Sequence, residues 1–324
     1  MESRAQAVPF RTQDYVSKKY GDDRIDMYVT EPAGGVRPTT GLLLLIHGWG
    51  NDGREAYAPE SEKYADRYDL VVTRVEYRHS GREARHPEPG CSWDVPYDWS
   101  KLQTIDCLRA AWSTLQRYPA LDRSRLYIWG GSQGGQLGAQ CMIFAPHLWA
   151  AAVLVSGVYL PMSGEEAARL GFAMDGRALG KPMMQWACGD GPAYAGAELD
   201  IRNPCRNAHL LPKEAPIALI HGTMDTAVDV KHSVFLYARL RGLGRNAAFF
   251  AVHGGDHALA GAEFADETNR FDATVKYADA LLRDARRPRV ELLPARPVRI
   301  PVTGGAYEVA FTGEGPTLSS FLPE

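Results

Sequence analysis

The segment with the clearest chemical potential is GGSQG, residues 130–134, which fits the pattern G-x-S-x-G. It lies between an apolar run at residues 126–129 and a helical pattern that begins at Gln133. A serine at such a sharp strand-to-helix turn takes a strained backbone, and only small neighbours fit beside it. The hydroxyl of Ser132 would then stand clear of the sheet above a helix N-terminus, where a nucleophile is needed. The alternative for this segment alone is a glycine-rich helix entry with a serine N-cap.

A histidine and an aspartate in two later loops could activate this serine. His257 ends the segment HGGDH after an apolar run, and the glycines permit a loop that delivers the imidazole as general base. Asp225 ends HGTMD, also just after an apolar run, and can orient the histidine and stabilise its imidazolium. The chain order Ser132, Asp225, His257 is typical of α/β-hydrolases and differs from the orders of chymotrypsin-like and subtilisin-like enzymes.

Two other carboxylates compete with Asp225 for the role of the acid. Asp229 falls at the predicted start of a helix, where capping is the simpler explanation. Asp256 adjoins His257, and adjacent side chains in an extended loop rarely point at each other. His253 and His257 do not form a zinc motif such as HExxH, so we expect no metal. The chemistry needs no organic cofactor either.

An attacked carbonyl develops negative charge on its oxygen, which two backbone N–H groups can stabilise. One donor is expected from Gln133, just after the serine. The other is expected from the HGWG loop at residues 47–50, most simply from Trp49. His47 is expected to be structural, because this loop would act through its backbone.

The elements that must position these residues alternate along the chain. Six continuous apolar runs predict strands buried on both faces, as in a parallel sheet covered by helices, at residues 41–47, 70–75, 126–129, 150–155, 217–220 and 247–252. An alternating strand is predicted at residues 24–30. Helical patterns lie between and after these runs, at residues 55–68, from a capping box at Ser100, and at 133–144, 230–240 and 264–283. This order predicts an α/β fold with a doubly wound, mostly parallel sheet.

Two stretches interrupt the alternation. Residues 159–209 are longer than an ordinary connection and hold several methionines and aromatics, which indicates an inserted cap. The segment from residue 287 is proline-rich with short alternating runs at 290–293, 298–302 and 307–311, which predicts a small β-hairpin appendage. We therefore expect an α/β-hydrolase domain over residues 1–286 and a β-rich extension over 287–324.

Three motifs make residues 40–285 resemble the α/β-hydrolase superfamily, in the branch with prolyl-oligopeptidase-like domains and acetyl xylan esterases or cephalosporin-C deacetylases. They are GGSQGG at the serine, HGWG, with tryptophan in place of a tyrosine, and HGTMDTAV around the acid. The resemblance implies Ser132, Asp225 and His257 as a catalytic triad. It also implies Trp49 and Gln133 as oxyanion donors.

The chain also departs from the peptidases of that branch. They usually carry tyrosine where this chain has Gln133 and proline where it has Asp229, and we expect no β-propeller before the domain. These departures favour hydrolysis of carboxylic esters through an acyl-enzyme over peptidase or amidase activity on short peptides. An alternative from another class is a non-catalytic hydrolase-fold binding protein, although such proteins usually lose a triad member and this chain keeps all three.

The loop at residues 76–99 mixes arginines, a histidine and aromatics after a predicted strand, at the edge where ligands bind in such sheets. From it and the cap we expect Arg78, Trp93 and Trp186 to contact substrate. A solvated loop whose aromatics pack on the cap is an equal alternative.

Composition limits the partners. With 36 basic and 39 acidic residues and a net charge of −3, nothing favours nucleic acid or a membrane surface. Five cysteines without a C-x-x-C pair argue against a zinc site or a disulfide framework, and the N-terminus lacks an apolar signal region. We expect a cytoplasmic protein acting on a small ester or short peptide. A homo-oligomer stays open, since the C-terminal extension could serve contacts between copies or cover a sheet edge.

Overall fold

The computed structural model describes residues 4–13, 24–78, 98, 100–161, 169–171, 196–261, 263–264, 269–288, 290 and 292–322. Two of the expected substrate-contacting residues, Trp93 and Trp186, lie outside this part of the chain. So do most of the 76–99 loop and most of the expected cap.

An eight-stranded sheet carries the candidate site. Its strands are β1 (Gln6–Arg11), β2 (Arg24–Thr30), β3 (Gly41–Ile46), β4 (Leu70–Val75), β5 (Leu126–Gly131), β6 (Ala151–Val155), β7 (Ile217–Gly222) and β8 (Ala247–Val252). The order across the sheet is β1-β2-β4-β3-β5-β6-β7-β8. Strands β3 to β8 run parallel, and β1 and β2 are antiparallel at one edge. The doubly wound, mostly parallel sheet expected from the apolar runs is confirmed.

Helices cover both faces of this sheet. They are α1 (Ala58–Tyr68), α2 (Lys101–Arg117), α3 (Gln133–Phe144), α5 (Lys231–Gly242) and α6 (Asn269–Asp284), and the short helix α4 (Gly196–Ile201) lies between α3 and α5 in the chain. Side chains of β3 alternate between two cores: Leu42 and Leu44 pack with residues of α2, α3 and α5, and Leu43 packs with residues of α1 and α6. Because both faces of the strand are buried, a continuous leucine run is the natural sequence for it.

The structure differs from the sequence-based expectation at two N-terminal elements. Helix α1 begins at Ala58 rather than at residue 55, because Tyr57 has a left-handed backbone with φ 58° and Pro59 occupies the first turn. Strand β1 was not expected, since it has no apolar run and contains Pro9. Its edge position explains both features, because an edge strand tolerates proline and is largely exposed.

The C-terminal extension is a three-stranded antiparallel sheet of β9 (Val298–Val302), β10 (Gly305–Thr312) and β11 (Gly315–Phe321). It is one strand larger than the expected hairpin, and the described residues among 290–293 are not in a strand. The sheet packs on α2, where Arg109 Nε donates to the carbonyl of Pro316 at 2.8 Å. It also contacts α4, since Glu198 accepts hydrogen bonds from Tyr307 and Lys101 and pairs with Arg202. The domain boundary at residue 287 stays a prediction.

Two features are absent from the described residues. None of the helices there is both long and apolar enough to cross a membrane. No group of three or more histidine, cysteine, aspartate or glutamate side chains there is arranged to hold a metal ion.

Candidate active site

Ser132 stands at the turn between β5 and α3, with φ 61° and ψ −124°. A positive φ is strained for a serine, as expected for a sharp strand-to-helix turn, and surrounding contacts must hold it. Its N–H donates to the carbonyl of Val155 at 2.8 Å, and its carbonyl accepts from the N–H of Gly135 at 2.9 Å. A Cβ on Gly134 would lie 2.1 Å from the carbonyl oxygen of Ile46, so only glycine lets α3 approach β3 this closely.

The structure brings Asp225 and His257 together. His257 Nδ1 donates to Asp225 Oδ2 at 2.7 Å. The side chain of Asp225 is fully buried and that of His257 is 29% exposed. The other carboxylate oxygen, Oδ1, accepts from the N–H groups of Ala227 at 2.9 Å and Val228 at 2.8 Å. The carboxylate is therefore fixed in orientation, with one oxygen facing the imidazole.

A second histidine, His221, contacts the same carboxylate oxygen. Its Nε2 lies 3.1 Å from Asp225 Oδ2, and its ring is fully buried. Burial alone raises the pKa of Asp225, but hydrogen bonds from His221 and His257 reverse this and hold the pKa well below its usual range. Asp225 is thus a stable anion beside the imidazole of His257. In the sequence, His221 stands out only as the first residue of the HGTMD motif, and nothing there indicates a role for its side chain.

The two competing carboxylates serve their own loops. Asp229 Oδ1 accepts from the N–H of Lys231 at 2.9 Å, at the start of α5. Asp256 Oδ1 accepts from the N–H groups of Ala258 and Ala260, both at 2.8 Å, within the loop that carries His257. The contact of Asp229 agrees with the capping expected at the start of this helix, and the contacts of Asp256 lie within its own loop.

The backbone of His257 is held from α6. Arg270 Nη2 donates to the carbonyl of His257 at 2.8 Å, and Nη1 donates to the hydroxyl of Tyr57. A Cβ on Gly131 would lie 2.7 Å from that hydroxyl. Arg270 therefore connects the base loop, through Tyr57, to the residue just before Ser132. No motif in the sequence pointed to this arginine.

The HGWG loop lies directly beside the serine. A Cβ on Gly48 would come within 2.9 Å of Ser132 Cβ and 3.4 Å of its Oγ. His47 is buried, its Nδ1 lies 2.8 Å from the carbonyl of Gly48, and its ring stacks on Tyr77 at 4.3 Å. Burial lowers the pKa of His47 to about 4, so the ring is neutral near pH 7. This agrees with the structural role expected for it.

The two expected oxyanion donors flank the serine. Trp49 follows Gly48 in the loop and is half-buried. Gln133 is the first residue of α3, and its buried side chain donates from Nε2 to Gln103 Oε1 at 2.9 Å. Their places agree with donation of backbone N–H groups to an oxyanion, which stays a prediction.

Arg78 is placed differently from the expectation. Its side chain is 3% exposed and pairs with Asp106 of α2 through two hydrogen bonds, Nε to Oδ2 at 2.7 Å and Nη2 to Oδ1 at 2.9 Å. A buried, two-point ion pair of this kind ties the end of β4 to α2. This placement does not support the expected contact between Arg78 and substrate.

Residues 93–284, which include the serine, the acid and the base, match the model of the prolyl oligopeptidase family. The chain belongs to this family. The prolyl oligopeptidase family comprises serine hydrolases, in agreement with the resemblance seen in the three motifs.

One curated relative shares part of the sequence. The chain is 29% identical over 135 residues to the uncharacterized peptidase YtmA of Bacillus subtilis, a match that covers 41% of this chain and 48% of the relative. The chain therefore spans about half the length of that curated relative.

Solved structures share the fold. An acylaminoacyl peptidase of Pyrococcus horikoshii superposes with a TM-score of 0.64 at 17% identity, over 88% of this chain and 43% of the peptidase. A puromycin-hydrolyzing peptidase of Mycobacterium tuberculosis gives a TM-score of 0.63 at 20% identity, over 89% and 41%. An arylesterase gives 0.60 at 20% identity, over 86% of this chain and 83% of the esterase.

Proposed function

We propose that this chain is a serine hydrolase that cleaves carboxylic esters through an acyl-enzyme, with Ser132, His257 and Asp225 as its triad. The observation that carries the proposal is the 2.7 Å hydrogen bond between His257 and a buried, fully hydrogen-bonded Asp225. It is supported by the strained turn of Ser132 beside the HGWG loop.

The proposed reaction has two halves. Ser132 Oγ attacks the ester carbonyl carbon while His257 Nε2 takes the hydroxyl proton, and the N–H groups of Trp49 and Gln133 stabilise the oxyanion. The intermediate collapses, His257 gives the proton to the leaving alcohol, and the acyl group stays on Ser132. A water then attacks the acyl-enzyme, with His257 again as base, and releases the acid. Asp225 stabilises the imidazolium in both halves.

The second candidate is a peptidase or amidase acting on short peptides. Membership of the prolyl oligopeptidase family favours it, as does the similarity to the peptidases of Bacillus subtilis and Pyrococcus horikoshii. Ester hydrolysis is preferred because Gln133 and Asp229 replace the tyrosine and proline that are usual in the peptidases. Esters have a lower chemical barrier to hydrolysis than amides, so an esterase and a peptidase would both cleave an activated ester. An amide substrate is therefore needed to separate the two candidates.

Labelling with a fluorophosphonate, which reacts with activated serines, tests the proposal. We expect the wild type to be labelled and Ser132→Ala not to be. Ser156→Ala is the matched control, because Ser156 is a buried serine at the end of the neighbouring strand β6 and should not affect labelling. Absence of labelling in a well-folded wild type would favour the non-catalytic binding protein instead.

A substrate series then separates the two hydrolase candidates. We expect turnover of p-nitrophenyl acetate and longer p-nitrophenyl esters, with little turnover of aminoacyl-p-nitroanilides. A kcat/KM for an aminoacyl-p-nitroanilide equal to that for the esters would establish the peptidase candidate.

A further inference from the structure

We propose that His221 is a positioning residue of this hydrolase: with its ring held in place by Ser233, its imidazole orients Asp225 and limits how strongly Asp225 stabilises the imidazolium of His257. The inference rests on the proposed function, since it concerns the same acid and base. The imidazole of His221 is buried beside the acid and takes no direct part in the two halves of the proposed reaction.

The surroundings of His221 determine which ring nitrogen carries the proton. Nε2 lies 3.1 Å from Asp225 Oδ2 and 2.9 Å from the carbonyl oxygen of Val228. Both partners are acceptors only, so Nε2 must be the N–H. Nδ1 lies 2.7 Å from the hydroxyl of Ser233 in α5, and this hydroxyl can donate to it. Asp225 and the carbonyl of Val228 thus set the tautomer, and Ser233 holds the ring in place through the nitrogen that carries no proton.

The carboxylate of Asp225 has a donor at each of its acceptor positions. Oδ1 takes the two backbone N–H groups of Ala227 and Val228, and Oδ2 takes the two imidazoles of His221 and His257. With all positions occupied and the side chain buried, the carboxylate cannot rotate without breaking several charge-assisted hydrogen bonds. Of the three donors other than His257, only His221 binds Oδ2, the oxygen that His257 also binds.

Sharing one oxygen between two imidazoles has a consequence for the base. A donor from His221 withdraws electron density from Oδ2, so Oδ2 stabilises the imidazolium of His257 less strongly. If His221 no longer donates, His257 alone holds Oδ2, and Oδ2 stabilises the imidazolium of His257 more strongly. The acid limb of the rate profile, which reports the base of the free enzyme, then moves upward.

Three variants of the full chain test this, with the second-order rate of fluorophosphonate labelling measured from pH 5 to 9. His221→Leu removes the donor; we expect labelling at the optimum to slow by about tenfold and the acid limb to move up by about half a pH unit. His221→Gln restores an amide N–H near the position of Nε2, and we expect the rate to return to within about threefold of the wild type and the limb to return. His147→Leu is the control, since this histidine packs on Phe311 of the C-terminal sheet and should not shift the profile.

The outcomes separate this inference from the function on which it rests. An unlabelled wild type refutes the proposed function itself. A labelled wild type with His221→Leu and His221→Gln showing equal rates and an unshifted acid limb overturns the positioning role. If His221→Leu does not fold, Ser233→Ala replaces it: it keeps the imidazole but removes the hydrogen bond that holds the ring at Nδ1, and we expect a smaller slowing with a smaller upward shift of the acid limb. An unshifted profile in Ser233→Ala would then overturn the inference.

Discussion

Replacing Asp225 with asparagine should abolish most activity while leaving the fold in place. The two N–H groups that bind Oδ1 need an acceptor, so the amide oxygen of the new side chain takes that position. Its NH₂ group then occupies the place of Oδ2 and faces His257 Nδ1 at 2.7 Å. Since two donors cannot bond, His257 must turn Nδ1 into an acceptor and place its proton on Nε2. An Nε2–H cannot accept the proton of Ser132.

The expected size of this effect follows from loss of the base. A histidine held in the wrong tautomer lowers kcat by about 10⁴-fold, or roughly 5.5 kcal/mol of transition-state stabilisation. The NH₂ group also meets the Nε2–H of His221, so we expect some loss of stability, on the order of 1–3 kcal/mol for unsatisfied buried groups.

The assay is the rate of fluorophosphonate labelling and of p-nitrophenyl acetate turnover, with thermal unfolding of the same preparations. Asp225→Ala serves as the comparison, because it removes the anion without adding a competing donor, and we expect it to be more active than Asp225→Asn. A folded Asp225→Asn variant within tenfold of the wild-type kcat would refute the reasoning, because it would show that the carboxylate does not set the tautomer of His257.

Three other changes have defined expectations. Arg270→Leu removes the donor to the carbonyl of His257, and kcat should fall by about three- to tenfold with little change in KM; an unchanged kcat would show that the base loop holds its own position. Gly134→Ala places a methyl 2.1 Å from the carbonyl oxygen of Ile46, so calorimetry should show at least about 1–3 kcal/mol of destabilisation, and an unchanged Tm would contradict the close approach. Burial raises the pKa of Glu198, but hydrogen bonds from its partners reverse this and lower it to about 2. Because the folded-state pKa lies below the unfolded one, Glu198→Gln should reduce the free energy of unfolding by about 1–3 kcal/mol near pH 7, with the difference from wild type disappearing between about pH 4.5 and 2; a difference independent of pH would exclude the carboxylate as its source.

The sheet and the candidate serine, acid and base could be anticipated because their signals are local. The run of leucines in β3 cannot be covered by one layer of helices, and Ser132 lies among glycines whose small size the turn requires. Asp225 and His257 each follow an apolar run directly, so the parallel order of the strands brings them to one edge.

The remaining contacts depend on residues that are distant in sequence or on turns whose path the sequence does not specify. Arg78 follows a strand and looks available to substrate, but its partner Asp106 is 28 positions away on α2. Arg270 reaches the carbonyl of His257 across 13 positions that include the end of the base loop. Such pairings require the packing of helices on the sheet, which periodicity alone does not determine.

Among the described residues, the partners of the Asp225 carboxylate other than His257 lie between residues 221 and 228, in the end of β7 and the following turn. Ser233, in the first turn of α5, holds the ring of His221. The hydrogen bonds that hold the Asp225 carboxylate in this stretch join residues close in sequence, so they can form before contacts between distant segments. The base, His257, lies on a loop further along the chain. Backbone hydrogen bonds join this loop to the turn that carries the acid, for example from the N–H of Met224 to the carbonyl of Gly255. Changes in length or sequence elsewhere at this edge of the sheet can therefore leave the surroundings of the acid unaltered.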